Sequence, residues 1–516
     1  MTDAPSGAGP GAGPSAEPPQ GELNAGAIGF VDALVIGLAA TSPAYSLAAV
    51  IGAITAAVGV YAPGALLASF VPMALIATAF LYLNRVDQDC GTTFSWVTRA
   101  MGPWFGWIGG WAITMTGVLV VGSLADVGVS FSLRTVGLDA AADNAWIRMP
   151  LAIALILVLT WICVLGTDVS ARLQNALIIA QVVSLLVFAA IAIGRAVADD
   201  SPLDPITPSW EWINPFGAGG AELTTALLLG VFAYWGWESA VDLSEETTDG
   251  NSTPGRAAVW SAFVLLLTYL AVGAAVVAFA GPAWLSDNAG EEEFVFAELA
   301  DLVMGDWGWV VLASVATSAI ASTQTTIIPA SRTGLSMARR HALPARFGRI
   351  DPRHRTPHVS TWWVAGIAIV WYVAIYQVSE NALFDSLTAL ALLIAFYYAL
   401  TGIACAVYYR RHLFESVRNL VLIGVGPLLG AGLLIWLLVL SVRDMSDPAN
   451  SYSGQSWLGV GPPLVIGVGI FLAGIVVMLV WRVQDSRFWQ ERAGLPDPDV
   501  VHGLKQAAAD PDGLEG

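Results

Sequence analysis

Residues 27–57 read AIGFVDALVIGLAATSPAYSLAAVIGAITAA, with Asp32 as the only charged side chain in the run. About 20 mainly apolar residues suffice for a helix to cross a bilayer core, so this stretch is long enough to span. Its middle, Ala40-Thr41-Ser42-Pro43-Ala44, is polar and carries a proline. Proline lacks a backbone donor and clashes with the preceding turn, so the helix is expected to kink or unwind there. At membrane depth freed backbone groups are tolerated only where they line a cavity or meet protein. No basic segment precedes the stretch, and it is too long for a cleavable signal. The first element is therefore expected to be a broken membrane helix facing an interior site.

Eleven further apolar blocks follow, near 62–84, 104–133, 146–166, 172–195, 223–243, 255–281, 308–330, 359–378, 382–409, 420–442 and 460–482. They are continuous rather than alternating, which favours helices over barrel strands. The composition agrees: 56% of the 516 residues are hydrophobic and 12% charged, with a mean hydropathy of +0.67. With the N-terminus placed in the cytoplasm, 18 of the 22 Lys and Arg residues fall in inner loops or the C-terminal tail. Such a bias is the usual mark of orientation, and one missed helix early in the chain would destroy it. The expected fold is an all-α integral membrane protein of about twelve spans, both ends inside. Residues 1–24 are expected to be a disordered N-terminus, 25–485 the membrane domain and 486–516 a cytoplasmic tail.

Several functions are excluded by what is missing. The single lysine, Lys505, lies in the tail, so no P-loop ATPase site exists. The five histidines fall in inner loops or the tail. His354 and His358 have metal-like spacing, but Pro357 lies between them, and no metal site is expected. Cys90, Cys163 and Cys405 are scattered without a CxxC pair. No cofactor is expected, and no intramembrane enzyme. The net charge of −18 resides mostly in loops and tails. The acidic stretch from Asp287 to Asp306 reads as a solvated outer surface. The inner arginines are explained by topology and anionic lipid, not by nucleic acid.

A second interruption occurs in the sixth block, at Phe232-Ala233-Tyr234-Trp235-Gly236-Trp237-Glu238. Paired interruptions at corresponding places in two halves point to a transporter site. Blocks one and six correspond if five helices repeat in inverted order, about 27–195 and 223–409, with two extra helices at 420–482. The half-helix beginning near Ser42, Pro43, Ala44 and Tyr45 offers N–H groups to a carboxylate. Carbonyls near Phe232, Ala233 and Tyr234 can accept from an ammonium. The expected substrate-binding residues are thus Thr41 to Tyr45, Phe232 to Tyr234, Gly236 and Glu238. Phe232 is expected to gate the site, while Trp235 and Trp237 are expected to be packing or interface residues.

Ionisable groups inside spans are costly and mark candidate sites. Glu238, Asp242 and Glu245 are spaced to share one helical face, although Asp242, Glu245 and Glu246 lie near the inner end and can be solvated. Asp126 is either a gating group or a structural one, partnering Arg134 or a backbone donor. Ser314, Ser318 and Ser322 recur every fourth residue. Their hydroxyls either ligate sodium with carbonyls of the first helix or bond one turn back. With no basic residue deep in any span, a zwitterionic or cationic substrate is expected rather than an organic anion.

Taken together, the run Phe232 to Ala240 closing with Glu245-Glu246-Thr247, the stretch Gly91 to Pro103, and Met337-Ala338-Arg339 with Leu343-Pro344 and Thr356-Pro357 resemble the amino acid–polyamine–organocation (APC) permeases. The resemblance covers about residues 27–410. It implies the inverted-repeat fold also seen in LeuT and a substrate held between helices one and six. Many relatives carry a lysine in helix five, at the position of Gln181 here, and glutamine cannot carry a proton. Either H+ or Na+ therefore remains open as the coupling ion. The expected function is secondary active transport of amino acids or amines across a plasma membrane. The alternatives are an amine or polyamine exchanger and a nutrient sensor. The scarcity of lysine suggests a bacterial source.

Overall fold

A single helix of 57 residues would run about 85 Å at 1.5 Å per residue, far more than one bilayer core. In the computed structural model the apolar segment Phe30–Val86 instead folds back on itself as α1 (Phe30–Thr41), α2 (Pro43–Val58) and α3 (Ala62–Val86). The structure describes residues 22–288, 292–378, 380–451 and 453–490. The expected disordered N-terminus up to residue 21 and the tail beyond 490 lie outside the described residues.

The remaining helices are α4 (Thr93–Met101), α5 (Pro103–Thr135), α6 (Asp139–Ala142), α7 (Ala145–Leu165), α8 (Thr167–Val197), α9 (Gly220–Ala233) and α10 (Thr253–Asp287). They continue with α11 (Glu292–Met304), α12 (Trp309–Arg339), α13 (His358–Val378), α14 (Glu380–Tyr408), α15 (Val417–Asn419), α16 (Gly426–Met445) and α17 (Pro462–Gln484). Among the described residues ten helical segments are long and apolar enough to cross a membrane, so the chain is a multi-pass membrane protein. The sixth expected span is no continuous helix. After α9 the chain runs through short 3-10 turns at Trp237–Ala240 and Ser244–Glu246. The centre of the molecule is built by α5 packed along α12, with α1 beside them and α10 and α14 closing the sides.

Three expectations change. First, α12 continues to Arg339, nine residues past the expected end of the eighth span, because Arg332 is buried against a carboxylate. Its Nε and Nη2 donate to Glu246 at 2.7 and 3.0 Å. A basic residue therefore does lie inside a helix, and Glu246 is fully buried rather than solvated. Asp242 is buried as well, and only Glu245 stays partly open, paired with Arg339 at 2.8 Å. Second, Asp126 does not meet Arg134, which pairs with Asp143 at 2.7 Å. Asp126 lies 3.0 Å from Arg148, carried in the first turn of α7, and accepts from Tyr372 at 2.6 Å. Third, part of the acidic stretch after α10 forms α11. Its Phe296, Leu299 and Val303 are buried against α2 and α8, while Asp301 and Asp306 stay exposed.

Removing one member of a buried ion pair strands the other, at a cost of about 3–5 kcal/mol, whereas an apolar replacement of both is often neutral. Arg332→Met is therefore expected to lower the apparent Tm of the solubilised protein sharply, and Arg332→Met with Glu246→Leu to restore most of it. Equal losses in the single and double variants would show that the pair does not act as a unit.

Candidate binding site at the two helix breaks

Ser42 separates α1 from α2 in the left-handed conformation, φ 56° and ψ 62°. Its N–H still donates to Leu38 and Ala39 carbonyls at 3.1 Å, so α1 closes normally. Pro43 then opens α2, where its missing N–H costs nothing. No side chain caps the start of α2, so the N–H groups of Ala44 and Tyr45 are left without an intrahelical acceptor.

The freed groups meet α12. Ser322 donates to the Ala40 carbonyl at 2.9 Å, and the hydroxyls of Ser42 and Ser318 are bonded at 2.9 Å. Ser314, Thr317 and Thr323 bond back to their own helix instead. Part of this hydroxyl row thus bonds one turn back, and Ser318 and Ser322 reach the first break.

The second break abuts the first. Gly236 has φ 120°, and a Cβ placed there would lie 2.7 Å from the Ala40 carbonyl carbon and 2.8 Å from Thr41 N. Only glycine permits that approach and that conformation. Two residues on, the Glu238 carboxylate accepts from Tyr397 at 2.5 Å, from Tyr398, and from the Gly236 N–H at 3.1 Å. Asp242 accepts from Thr92 at 2.8 Å. Both carboxylates line one cavity with Ala40, Thr92, Trp235 and Tyr397. Among the described residues no Lys, Arg or His side chain pairs with Glu238. The site therefore offers two carboxylates, phenol and alcohol groups and an indole face, a set suited to an amine.

That cavity holds about 20 Å³, enough for a water and too little for an amino acid. A second cavity of about 110 Å³ lies between α2, α9, α14 and α16, and Phe232 belongs to its wall rather than to that of the Glu238 cavity.

The structure brings Ser42, Gly236, Glu238, Ser318 and Ser322 to the two breaks and sets other expected residues apart. The Tyr234 ring packs on Phe70 and Tyr269, with centroids 5.6 and 5.0 Å away. The Phe232 carbonyl accepts from Trp235 N–H and the Ala233 carbonyl from the Tyr269 hydroxyl, so both already hold a donor. Thr41 bonds back to Gly37, and Pro43, Ala44 and Tyr45 are buried in α2. Gln181 is buried in α8, and neither amide atom finds a hydrogen-bond partner among the described residues. Asp126 is held by Arg148 and Tyr372, as above.

Sequence reasoning missed Thr92, Tyr397 and Tyr398, and it read Trp235 as packing. Trp235 lines the cavity and donates to Tyr397 at 2.5 Å. The adjacent tyrosines in the middle of the tenth block were the available signal.

Residues 28–481 match the family described as amino acid permease. The chain belongs to that family. The match runs past residue 410, where the APC resemblance had stopped, and takes in α16 and most of α17. An uncharacterised transporter of Mycobacterium tuberculosis is 28% identical over 64% of this chain and 70% of its own length. The branched-chain amino acid permease BcaP of Lactococcus lactis is 25% identical over 72% of this chain and 79% of its own. The human Asc-type amino acid transporter 1 is 24% identical over 84% of this chain and 76% of its own. Among solved structures, mutant forms of the Eremococcus coleocola manganese transporter superpose with a TM-score of 0.53. They are 16% identical, covering 89% of this chain and 95% of theirs. The fold is LeuT-like, and this APC permease is a secondary transporter for amino acids or related substrates.

In this permease Gly236→Ala combines a strained φ with a backbone clash, and a loss of about 3 kcal/mol is expected. Gly52→Ala, where a Cβ meets nothing within 4 Å, is expected to be neutral or up to about 1 kcal/mol stabilising. Thermal unfolding of the purified protein compares the two, and equal shifts would show that the breaks do not abut.

Proposed function

We propose that this permease carries an amine-bearing substrate, zwitterionic or cationic, through the plasma membrane by alternating access, with both termini in the cytoplasm. One observation carries the proposal: Glu238 sits between the two helix breaks, buried, with no cationic partner among the described residues. Hydroxyls and one N–H hold the carboxylate without neutralising it. A substrate ammonium completes the pair, and the uncapped start of α2 receives the substrate carboxylate. The relatives named for amino acids agree with such a substrate.

The 20 Å³ cavity is an occluded state on this view. The Arg-rich loops mark the inner face, and ion pairs close it. Glu245 meets Arg339 at 2.8 Å, and Asp89 meets Arg340 at 3.2 Å. Phe232 guards the outer approach. For coupling, Gln181 cannot take a proton. Two sets of groups remain: the Glu238 and Asp242 carboxyls for H+, and the oxygens of Ala40, Ser42, Ser318 and Ser322 for Na+.

Uptake of labelled amino acids, polyamines and ethanolamine into proteoliposomes, under a proton or a sodium gradient, tests this. Loss of a charge-assisted contact is worth about 1.5–3 kcal/mol, so Glu238→Gln is expected to lower kcat/KM for the amine roughly 10–100-fold. Uptake of a dicarboxylate that survives Glu238→Gln, with no amine transported, would overturn the proposal. Specific binding without flux under every gradient would point to a sensor.

A further inference from the structure

A third cavity, far larger than the Glu238 site, takes no part in the carrier cycle described above. It holds about 290 Å³ between α13 and α17, over a floor made by α5 and α12, close to the lower bound of ordinary ligand pockets. Its wall is apolar, with Trp111, Val118, Met337, Phe347, Trp363 and Val480 among its residues. Trp363 is 44% exposed and Val480 53%. The mouth therefore opens on the outside of the helix bundle, the surface that faces acyl chains in a multi-pass protein.

The polar end of this groove is cationic. Arg346, in the loop after α12, is exposed and lies over the rings of Phe347 and Trp363, 5.4 and 5.1 Å from their centroids. Among the described residues it has no carboxylate partner. On the other flank Arg482 follows the lining residue Trp481 and lies 4.7 Å from the Trp104 centroid. Stacking on aromatic faces holds the side chains near the interface and leaves the guanidinium edges open to an anion.

We propose that this groove binds one anionic phospholipid, with an acyl chain between α13 and α17 and the headgroup phosphate on Arg346. Basic pockets between membrane helices suit such headgroups. A zwitterionic lipid would also bring its own cation to the arginines, so the anionic class is preferred. The placement in the cytoplasmic leaflet rests on the orientation given under the proposed function; the binding itself does not.

The test uses the full-length protein in phosphatidylcholine nanodiscs with and without phosphatidylglycerol. Native mass spectrometry counts the lipid retained per chain, with no substrate or gradient present, so failure of the carrier proposal leaves this readout intact. One phosphatidylglycerol is expected to be retained in preference to phosphatidylcholine. Arg346→Gln is expected to weaken retention about tenfold. Val480→Trp, which fills the mouth from the lipid side, is expected to abolish it, whereas Leu472→Trp, exposed elsewhere on α17, leaves it unchanged. Equal retention of the two lipids, a fatty acid in place of the phospholipid, or retention indifferent to both Arg346→Gln and Val480→Trp would overturn the proposal.

Discussion

The backbone of Gly236 rests directly on that of Ala40 and Thr41, and most of the interior follows from that contact. Two interrupted helices at membrane depth leave peptide groups that lipid cannot satisfy. Bringing the interruptions together hides them from lipid and leaves only a small polar space between. The rest of the polar wall comes from helices that reach this point. The turn before α4 sends Thr92 and α14 sends Tyr397 to its lining, and Tyr398 reaches Glu238 from α14. Ser318 and Ser322 of α12 bond Ser42 and the Ala40 carbonyl at the first break. A Cβ at position 236 would separate the breaks and open the space between all five.

Four of the buried acids in this bundle are treated in two ways. Asp126 and Glu246 each meet a guanidinium, from Arg148 and Arg332, and are neutralised where they stand. Such pairs fix the packing of α5 against α7 and of the sixth segment against α12. Glu238 and Asp242 are instead held by neutral donors. Hydroxyl donors offset part of the desolvation of a carboxylate but bring no opposite charge. An electrostatic deficit is therefore left at the cavity between the breaks, and on the proposed function an incoming ammonium relieves it.

The membrane class and both breaks were legible in the sequence because each rests on local chemistry. Long apolar runs, Ser42-Pro43 and Gly236 speak for themselves without knowledge of the partner helices. What was not legible depends on pairing between distant segments. The end of α12 was placed too early because Arg332 looked like a loop residue until Glu246 was seen beside it. The spacing of Glu238, Asp242 and Glu245 suggested one helical face. The chain runs there through 3-10 turns, so Glu245 swings out to Arg339 while the other two stay inside. Carbonyls counted as available at Phe232 and Ala233 hold donors from Trp235 and Tyr269. Tyr397 and Tyr398, 159 and 160 residues from Glu238, carry no mark of their role except their polarity.

On the proposed cycle the contacts around the small cavity differ in how readily they yield. The approach of Gly236 to Ala40 is backbone against backbone, and neither side has a rotamer with which to adjust. Around it lie side-chain contacts, Ser42 to Ser318, Ser322 to Ala40, and the two tyrosines to Glu238. A hydrogen bond of that kind is worth about 1 kcal/mol net, and its hydroxyl can turn to water or substrate. On the proposed cycle the two breaks therefore move as one body. The space for a substrate opens along the hydroxyl faces of α12 and α14, where small bonds are exchanged one at a time rather than at the seam between the breaks.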